Sequence, residues 1–272
     1  MIATMGMEFR KFFSTRTWWA LALVTFAWTG FNVALMVFSL HFAGDAVADQ
    51  LPGLLGIDQD GIARLFYSMG TTFGYVFPAI VGAMAVAGEY RHQTITPTLL
   101  VEPVRWRLLL AKFVSVIPVS VLYGLIVVAG CLTCGAALLG ALGAPTGLES
   151  ATTWELFARM IPAMTLWGLF GVGLGTLLGN QLTAIITLLG ITMFIEPTVR
   201  ILPMLVGHDI AALNYLPGAL GDAVTGASLF SMLTPGAGAN ALGFWPAAGL
   251  LLGYAAGLTV VGYFVRFRRD VS

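Results

Sequence analysis

Trp18 to Leu40 carries no charged residue, and five further apolar runs follow it: Tyr67 to Ala87, Phe113 to Leu139, Met160 to Leu178, Leu182 to about Leu205, and Phe244 to Val265. A helix of about 20 residues spans a hydrocarbon core about 30 Å thick. Inside lipid every backbone polar group needs a partner within the protein, and runs of this length satisfy that as helices rather than as barrel strands. The chain is therefore expected to be an all-α polytopic membrane protein with six transmembrane helices in one domain, 1–272. Composition agrees: 58% of residues are hydrophobic and 10% charged, where a globular domain carries about 25% charged residues.

The charges that remain orient the chain. Ten of its 13 basic residues cluster before the first run (Arg10, Lys11, Arg16), between the second and third (Arg91, Arg105, Arg107, Lys112), and after the last (Arg266, Arg268, Arg269). Only Arg64, Arg159 and Arg200 fall on the other side, beside acidic residues such as Asp45, Asp58 and Glu155. Basic loops stay in the cytoplasm, so both termini are expected there. The first run is too long for a signal-peptide core and lacks a small-residue cleavage site, so it reads as a retained helix. Lys112 is expected to snorkel to the interface as the third run begins.

Two segments are expected outside. Residues 41–66 are mixed in polarity, with a short interfacial helix possible over Leu51 to Arg64. Residues 206–243 are rich in Gly and Pro yet apolar, which suits a re-entrant hairpin or a packed external loop. Glycine recurs every fourth residue in the fourth run (Gly171, Gly175, Gly179) and the sixth (Gly249, Gly253, Gly257). Each strip lets another helix approach closely, within the subunit or in a second one, and packing within the subunit is the more economical choice.

Chemistry-bearing motifs are sparse. No G-x-x-x-x-G-K-[ST] phosphate loop occurs, so the chain has no means of cradling a nucleotide in the usual way. The three histidines form no H-E-x-x-H pair and no G-x-S-x-G elbow is present, which disfavours a protease or hydrolase. Cys131 and Cys134 form a C-x-x-C inside an apolar run, where two small apolar side chains explain them better than redox chemistry does. Glu196 and Arg200 are the ionisable groups inside a run. Four residues apart, they share a helical face and can pair. At roughly 21 Å along the helix from Leu182 they lie beyond the midplane, as a structural ion pair or a substrate gate.

The loop after the second run, residues 88–112, reads as a punctuated short helix. Thr96 suits an N-cap and Pro97 the first helical position, while Pro103 biases Glu102 out of helical geometry. Leu99, Leu100 and Val101 then need burial, against lipid headgroups or a docked protein. This loop, Gly88-Glu89-Tyr90-Arg91-His92 through Thr94-Ile95-Thr96-Pro97-Thr98 with Arg105-Trp106-Arg107 and Ala111-Lys112, forms one signature. The approach to the first run, Met7-Glu8-Phe9-Arg10-Lys11 with Ser14-Thr15-Arg16-Thr17-Trp18-Trp19, forms another. In both places the chain resembles the permease subunits of bacterial type 2 ATP-binding-cassette exporters, and the six-span layout extends the resemblance over its whole length.

That resemblance implies an amphipathic helix on the inner membrane surface over residues 5–17, and a multi-pass subunit of the bacterial cytoplasmic membrane. It implies pairing with a second copy or close homologue, and a re-entrant segment before the last span. The loop becomes a coupling segment on a separate ATPase, present in two copies, that handles ATP and Mg2+; this chain itself holds no cofactor and is not an enzyme. The residues assigned to coupling are Glu89, Arg91, Thr96, Pro97, Leu99, Leu100, Val101 and Glu102. Location alone puts Asn32, Thr71, Thr72, Phe73 and Phe77 on the substrate path, for a hydrophobic, amphipathic or lipid-like cargo. No nucleic-acid partner is implied. The alternative is an ion-coupled secondary transporter, which needs an ionisable group near the midplane and flux without an ATPase.

Overall fold

The computed structural model describes residues 2–44, 59–91, 94, 98, 100, 104–202, 210–227 and 242–267. Among these the chain is helical and contains no strand. Six helices are long and apolar enough to cross a membrane: Thr17–Phe42, Gly61–Arg91, Arg105–Ala141, Ala151–Leu178, Gln181–Arg200 and Phe244–Arg266. They match the six apolar runs one for one, and the chain is a multi-pass helical membrane protein.

Several helices run past their apolar stretch. The third begins at Arg105 rather than Phe113, and the fourth at Ala151 rather than Met160. Charged and polar residues suit a helix that has left the hydrocarbon, so hydropathy marks the buried length and misses these ends. The second span is interrupted at Tyr75, between helices Gln59–Gly74 and Val76–Arg91. Pro78 supplies no N–H to the carbonyl four residues earlier, at Gly74, and the ladder breaks there.

Pro197 has no N–H for the helix ladder, and proline inside a helix ordinarily kinks or breaks it, which would put a bend in the fifth span near Glu196. Its helix continues instead: a wider π-helical turn, Gly190–Ile195, precedes the Glu196–Arg200 turn. Such a turn absorbs the hydrogen bond that Pro197 cannot make. A second π stretch, Cys131–Ala136, lies in the third span and contains both cysteines, which are free thiols. There the sulfurs take up the room left by glycines, since a Cβ on Gly70 or Gly30 would collide with Cys131 Sγ or Cys134 Sγ.

The second and fourth spans form the centre of the bundle and are mostly buried, while the first, fifth and sixth expose most of their apolar surface. The fourth-span glycines explain the close approach. A Cβ on Gly171 would sit 2.0 Å from the Ala79 carbonyl oxygen, and one on Gly175 2.5 Å from that of Ala83. This strip packs against the second span of the same chain. The sixth-span strip does not: among the described residues, a Cβ on Gly249, Gly253 or Gly257 meets nothing within 4 Å.

A two-residue turn joins the fourth and fifth spans. Gly179 closes one helix with φ +61°, a left-handed conformation that favours glycine. Asn180 opens the next by accepting the N–H groups of Leu182 (2.9 Å) and Thr183 (3.2 Å), a side-chain N-cap. The preceding helix, Ile2–Ser14, begins before residue 5 and ends before residue 17. It packs against the third span.

Of the segment 206–243, residues 210–227 are described. They hold a single 3-10 turn, Ala211–Tyr215, followed by the short helix Pro217–Thr225, which packs against the fourth and sixth spans with Leu220 and Val224 fully buried. Apart from residues 242 and 243, the remainder of that segment lies outside the described residues, as does most of the helix expected over Leu51 to Arg64.

Candidate functional site

Four charged side chains meet where the N-terminal helix crosses the bundle. Lys112 was expected to snorkel, but it is fully buried. Its Nζ donates to Glu8 Oε2 (2.7 Å) and to the Ala85 carbonyl (3.0 Å), and it lies 2.8 Å from Glu89 Oε1. Three acceptors match the three protons of an ammonium group. Two buried carboxylates stand within reach, so the side chain turns inward to them rather than outward to the headgroups. Lys11 completes the set, 2.5 Å from Glu89 Oε1 at its own half-exposed position.

The four members come from three places in the chain: Glu8 and Lys11 from the N-terminal helix, Glu89 from the last turn of the second span, and Lys112 from the third. Two ammonium groups and two carboxylates leave the cluster neutral. Taking each ion out of water costs several kcal/mol, which only close pairing and full hydrogen bonding offset. The satisfaction is incomplete, because Glu8 Oε1 and Glu89 Oε2 are buried without a hydrogen-bond donor.

The cluster continues into the loop. Thr94 N–H donates to the Glu89 carbonyl (3.0 Å), and Thr98 N–H donates to that of Thr94 (3.1 Å). The Thr98 hydroxyl donates to the Thr94 carbonyl at 2.7 Å and contacts Glu89 Oε1 at 3.4 Å. Thr98 is buried, whereas Leu100, two residues on, is 81% exposed. Arg91 reaches across to Gln181 Oε1 at the start of the fifth span, 3.4 Å away.

Of the residues assigned to coupling, Glu89 is thus an interior group that holds the loop, Arg91 is an exposed strap and Leu100 projects from the surface. Thr96, Pro97, Leu99, Val101 and Glu102 lie outside the described residues. Sequence reasoning missed Glu8, Lys11 and Lys112 as members of one site. The available signal was Lys112 itself, an ionisable residue flanked by Ala111 and Phe113 that needed a carboxylate partner.

At the opposite end, Glu196 is buried and its Oε1 accepts the Ala219 N–H at 3.0 Å, on the first turn of the Pro217–Thr225 helix. A Cβ on Gly218 would sit 2.5 Å from that oxygen, so glycine is what lets the carboxylate approach. Arg200 donates to Asp222 Oδ2 at 2.6 Å. The two residues read from sequence as a mutual pair therefore each reach a different point of one short helix. That helix also presses Gly221 against Trp167, whose ring stacks on Tyr75 with centroids 4.2 Å apart.

The residues placed on the substrate path by location are dispersed in this chain. Thr71 and Thr72 are buried, the latter donating to the Ser68 carbonyl (3.1 Å). Phe73 packs on the main core, and Phe77 on a separate cluster of Val81, Val119 and Tyr123. Asn32 Nδ2 donates to the Trp28 carbonyl of its own helix at 2.8 Å. No protein-family model matches the chain, and no curated protein matches it.

Proposed function

We propose that this chain is the membrane-spanning permease subunit of an exporter powered by a separate ATP-binding-cassette ATPase in a bacterial cytoplasmic membrane. Two copies, or one copy and a close homologue, pair in the bilayer, and two ATPase subunits dock from the cytoplasm. On this reading both termini are cytoplasmic, Ile2–Ser14 lies along the inner surface, and the segment before the last span is external and re-entrant. The chain itself hydrolyses nothing; ATP and Mg2+ belong to the ATPase, and the cargo is hydrophobic, amphipathic or lipid-like.

The observation that carries this reading is the continuous linkage from loop to bundle. Leu100 stands exposed two residues from Thr98, which contacts Glu89, and Lys112 joins Glu89 to Glu8. A load applied to the loop reaches the second span, the third span and the N-terminal helix through short charged contacts. Alternating access works largely by rigid-body rocking of one group of helices against another, and these contacts would let the three elements move as one group. Reconstitution of the purified chain with its ATPase tests it: export should need both chains and hydrolysable ATP, and nucleotide hydrolysis by the permease alone would sink the assignment.

One observation favours a second reading, an ion-coupled secondary transporter. Glu196 is a buried carboxylate inside a span, with Oε2 lacking a hydrogen-bond donor, and intramembrane carboxylates commonly carry protons. Flux that persists without an ATPase and collapses with the proton gradient would select it.

A further inference from the structure

Two arginines border the turn between the fourth and fifth spans. Arg266, in the last turn of the sixth span, lies over Gly179: a Cβ there would sit 2.7 Å from its Nη1 and 3.0 Å from its Cδ. Arg91, at the end of the second span, donates to Gln181 Oε1 over a long 3.4 Å. The two helix ends are anchored side by side, because Tyr90 and Tyr263 pack on one buried cluster with Val86, Leu108 and Val172. Both arginines are exposed.

Little at this turn consumes their charge. A guanidinium carries five N–H donors. Arg91 spends one on a neutral amide, and Arg266 makes no hydrogen bond or ion pair with a described residue. The charged groups that act on the neighbouring Tyr90 hydroxyl are Arg266, Arg105 and Glu89, and Glu89 is buried and already faces Lys112 and Lys11. The carbonyls that end the fourth span attract a cation. That accounts for where Arg266 lies, but neither for its unspent donors nor for Arg91. Among the described residues the turn is therefore cationic, and its ligand is an anion.

The surface alongside says which anion. Leu182 and Ile186 stand four apart on the fifth span, and Val260 and Phe264 four apart on the sixth, all of them exposed. Each pair begins within two turns of the arginines and gives an apolar track along a helix long enough to cross a membrane. A dissolved phosphate would use only the arginines. A phospholipid uses both features, since guanidinium groups fork phosphate oxygens and acyl chains lie against apolar side chains. Basic pockets between transmembrane helices hold acidic lipid heads in this way. We propose that the turn at 179–181 binds one anionic phospholipid, with its phosphate on Arg91 and Arg266 and its acyl chains along the exposed faces of the fifth and sixth spans. The site stands whether or not the chain works with an ATPase, since every residue in it belongs to this chain.

Native mass spectrometry of the purified, delipidated chain tests it with phosphatidylglycerol and phosphatidylcholine of identical acyl chains. An arginine beside an anionic head contributes about fivefold in affinity, so one phosphatidylglycerol should bind at least tenfold more tightly than phosphatidylcholine. That comparison needs no variant. Arg91→Gln/Arg266→Gln should lose at least tenfold for phosphatidylglycerol and leave phosphatidylcholine unchanged. Arg10→Gln removes an exposed cation from the N-terminal helix at the same end of the bundle and should stay within about twofold of wild type. Glycerol 3-phosphate, which carries the phosphate without the chains, should not bind at concentrations that saturate the lipid. Equal affinity for the two lipids, wild-type affinity in the double variant, an equal loss in Arg10→Gln, or glycerol 3-phosphate binding as tightly as the lipid overturns the proposal.

Discussion

Replacing Lys112 by methionine keeps the length and apolar stem of the side chain and removes only its charge. In the wild-type structure its ammonium lies 2.7 Å from Glu8 and 2.8 Å from Glu89, whose side chains are 6% and 2% exposed. Lys112→Met therefore leaves Glu8 without its cation and Glu89 with only Lys11. Removing one partner of a buried ion pair costs about 3–5 kcal/mol, because the other charge stays buried and uncompensated. At about 2–4 °C per kcal/mol for a chain of this size, the melting temperature should fall by roughly 6–20 °C.

Lys11→Met is the control. That group is 44% exposed, and an ion pair with such a partner contributes about 0–1 kcal/mol after solvent screening. Combining Lys112→Met with Glu8→Gln removes the stranded carboxylate and should recover part of the loss. Thermal unfolding of the purified variants in one detergent measures all three. A Lys112→Met variant within 2 °C of wild type, or a Lys11→Met variant that loses as much, refutes the account of the cluster as a buried support for the loop.

The glycine contacts make a paired prediction. Gly175→Leu drives a side chain into the Ala83 backbone and should abolish the monodisperse folded chain on size-exclusion chromatography, while Gly253→Leu points into open space and should leave the fold intact. At the far end, Glu196→Gln keeps an oxygen for the Ala219 N–H and should melt within a few degrees of wild type. Glu196→Leu loses that bond beside Gly218 and should cost about 1–3 kcal/mol, read as the drop in melting temperature. For topology, Asp58→Cys in a chain also carrying Cys131→Ala and Cys134→Ala should react with an impermeant maleimide in intact cells. Reaction only after permeabilisation would invert the orientation.

The six spans were legible because lipid demands a single property, apolarity, over a fixed length, and Trp18 to Leu40 or Phe244 to Val265 displays it residue by residue. What happens between spans was less legible, because contacts across the bundle depend on which faces meet. Two glycine strips look alike in sequence, yet the one at Gly171 and Gly175 meets the second span while the one at Gly249, Gly253 and Gly257 meets nothing among the described residues. Glu196 and Arg200 share a helical face, and i,i+4 spacing suggested a pair. Neither pattern announced that Gly218 and Asp222, some twenty residues on, would lie against them. Lys112 shows the same limit: its charge was visible, but Glu8, 104 positions away, was not visibly its partner.

The central claim, that the exposed end of the loop docks on an ATPase, is tested most directly by Leu100→Asp. Leu100 is 81% exposed, so the substitution disturbs no packing in this chain and the variant should insert and melt as wild type does. In a protein interface the new carboxylate is buried without a partner at a cost of several kcal/mol, and 1.4 kcal/mol already changes affinity about tenfold. Co-purification of the ATPase with the Leu100→Asp chain should therefore fall at least tenfold, with transport lost. Wild-type co-purification and wild-type transport from the same variant would contradict the coupling role of this loop.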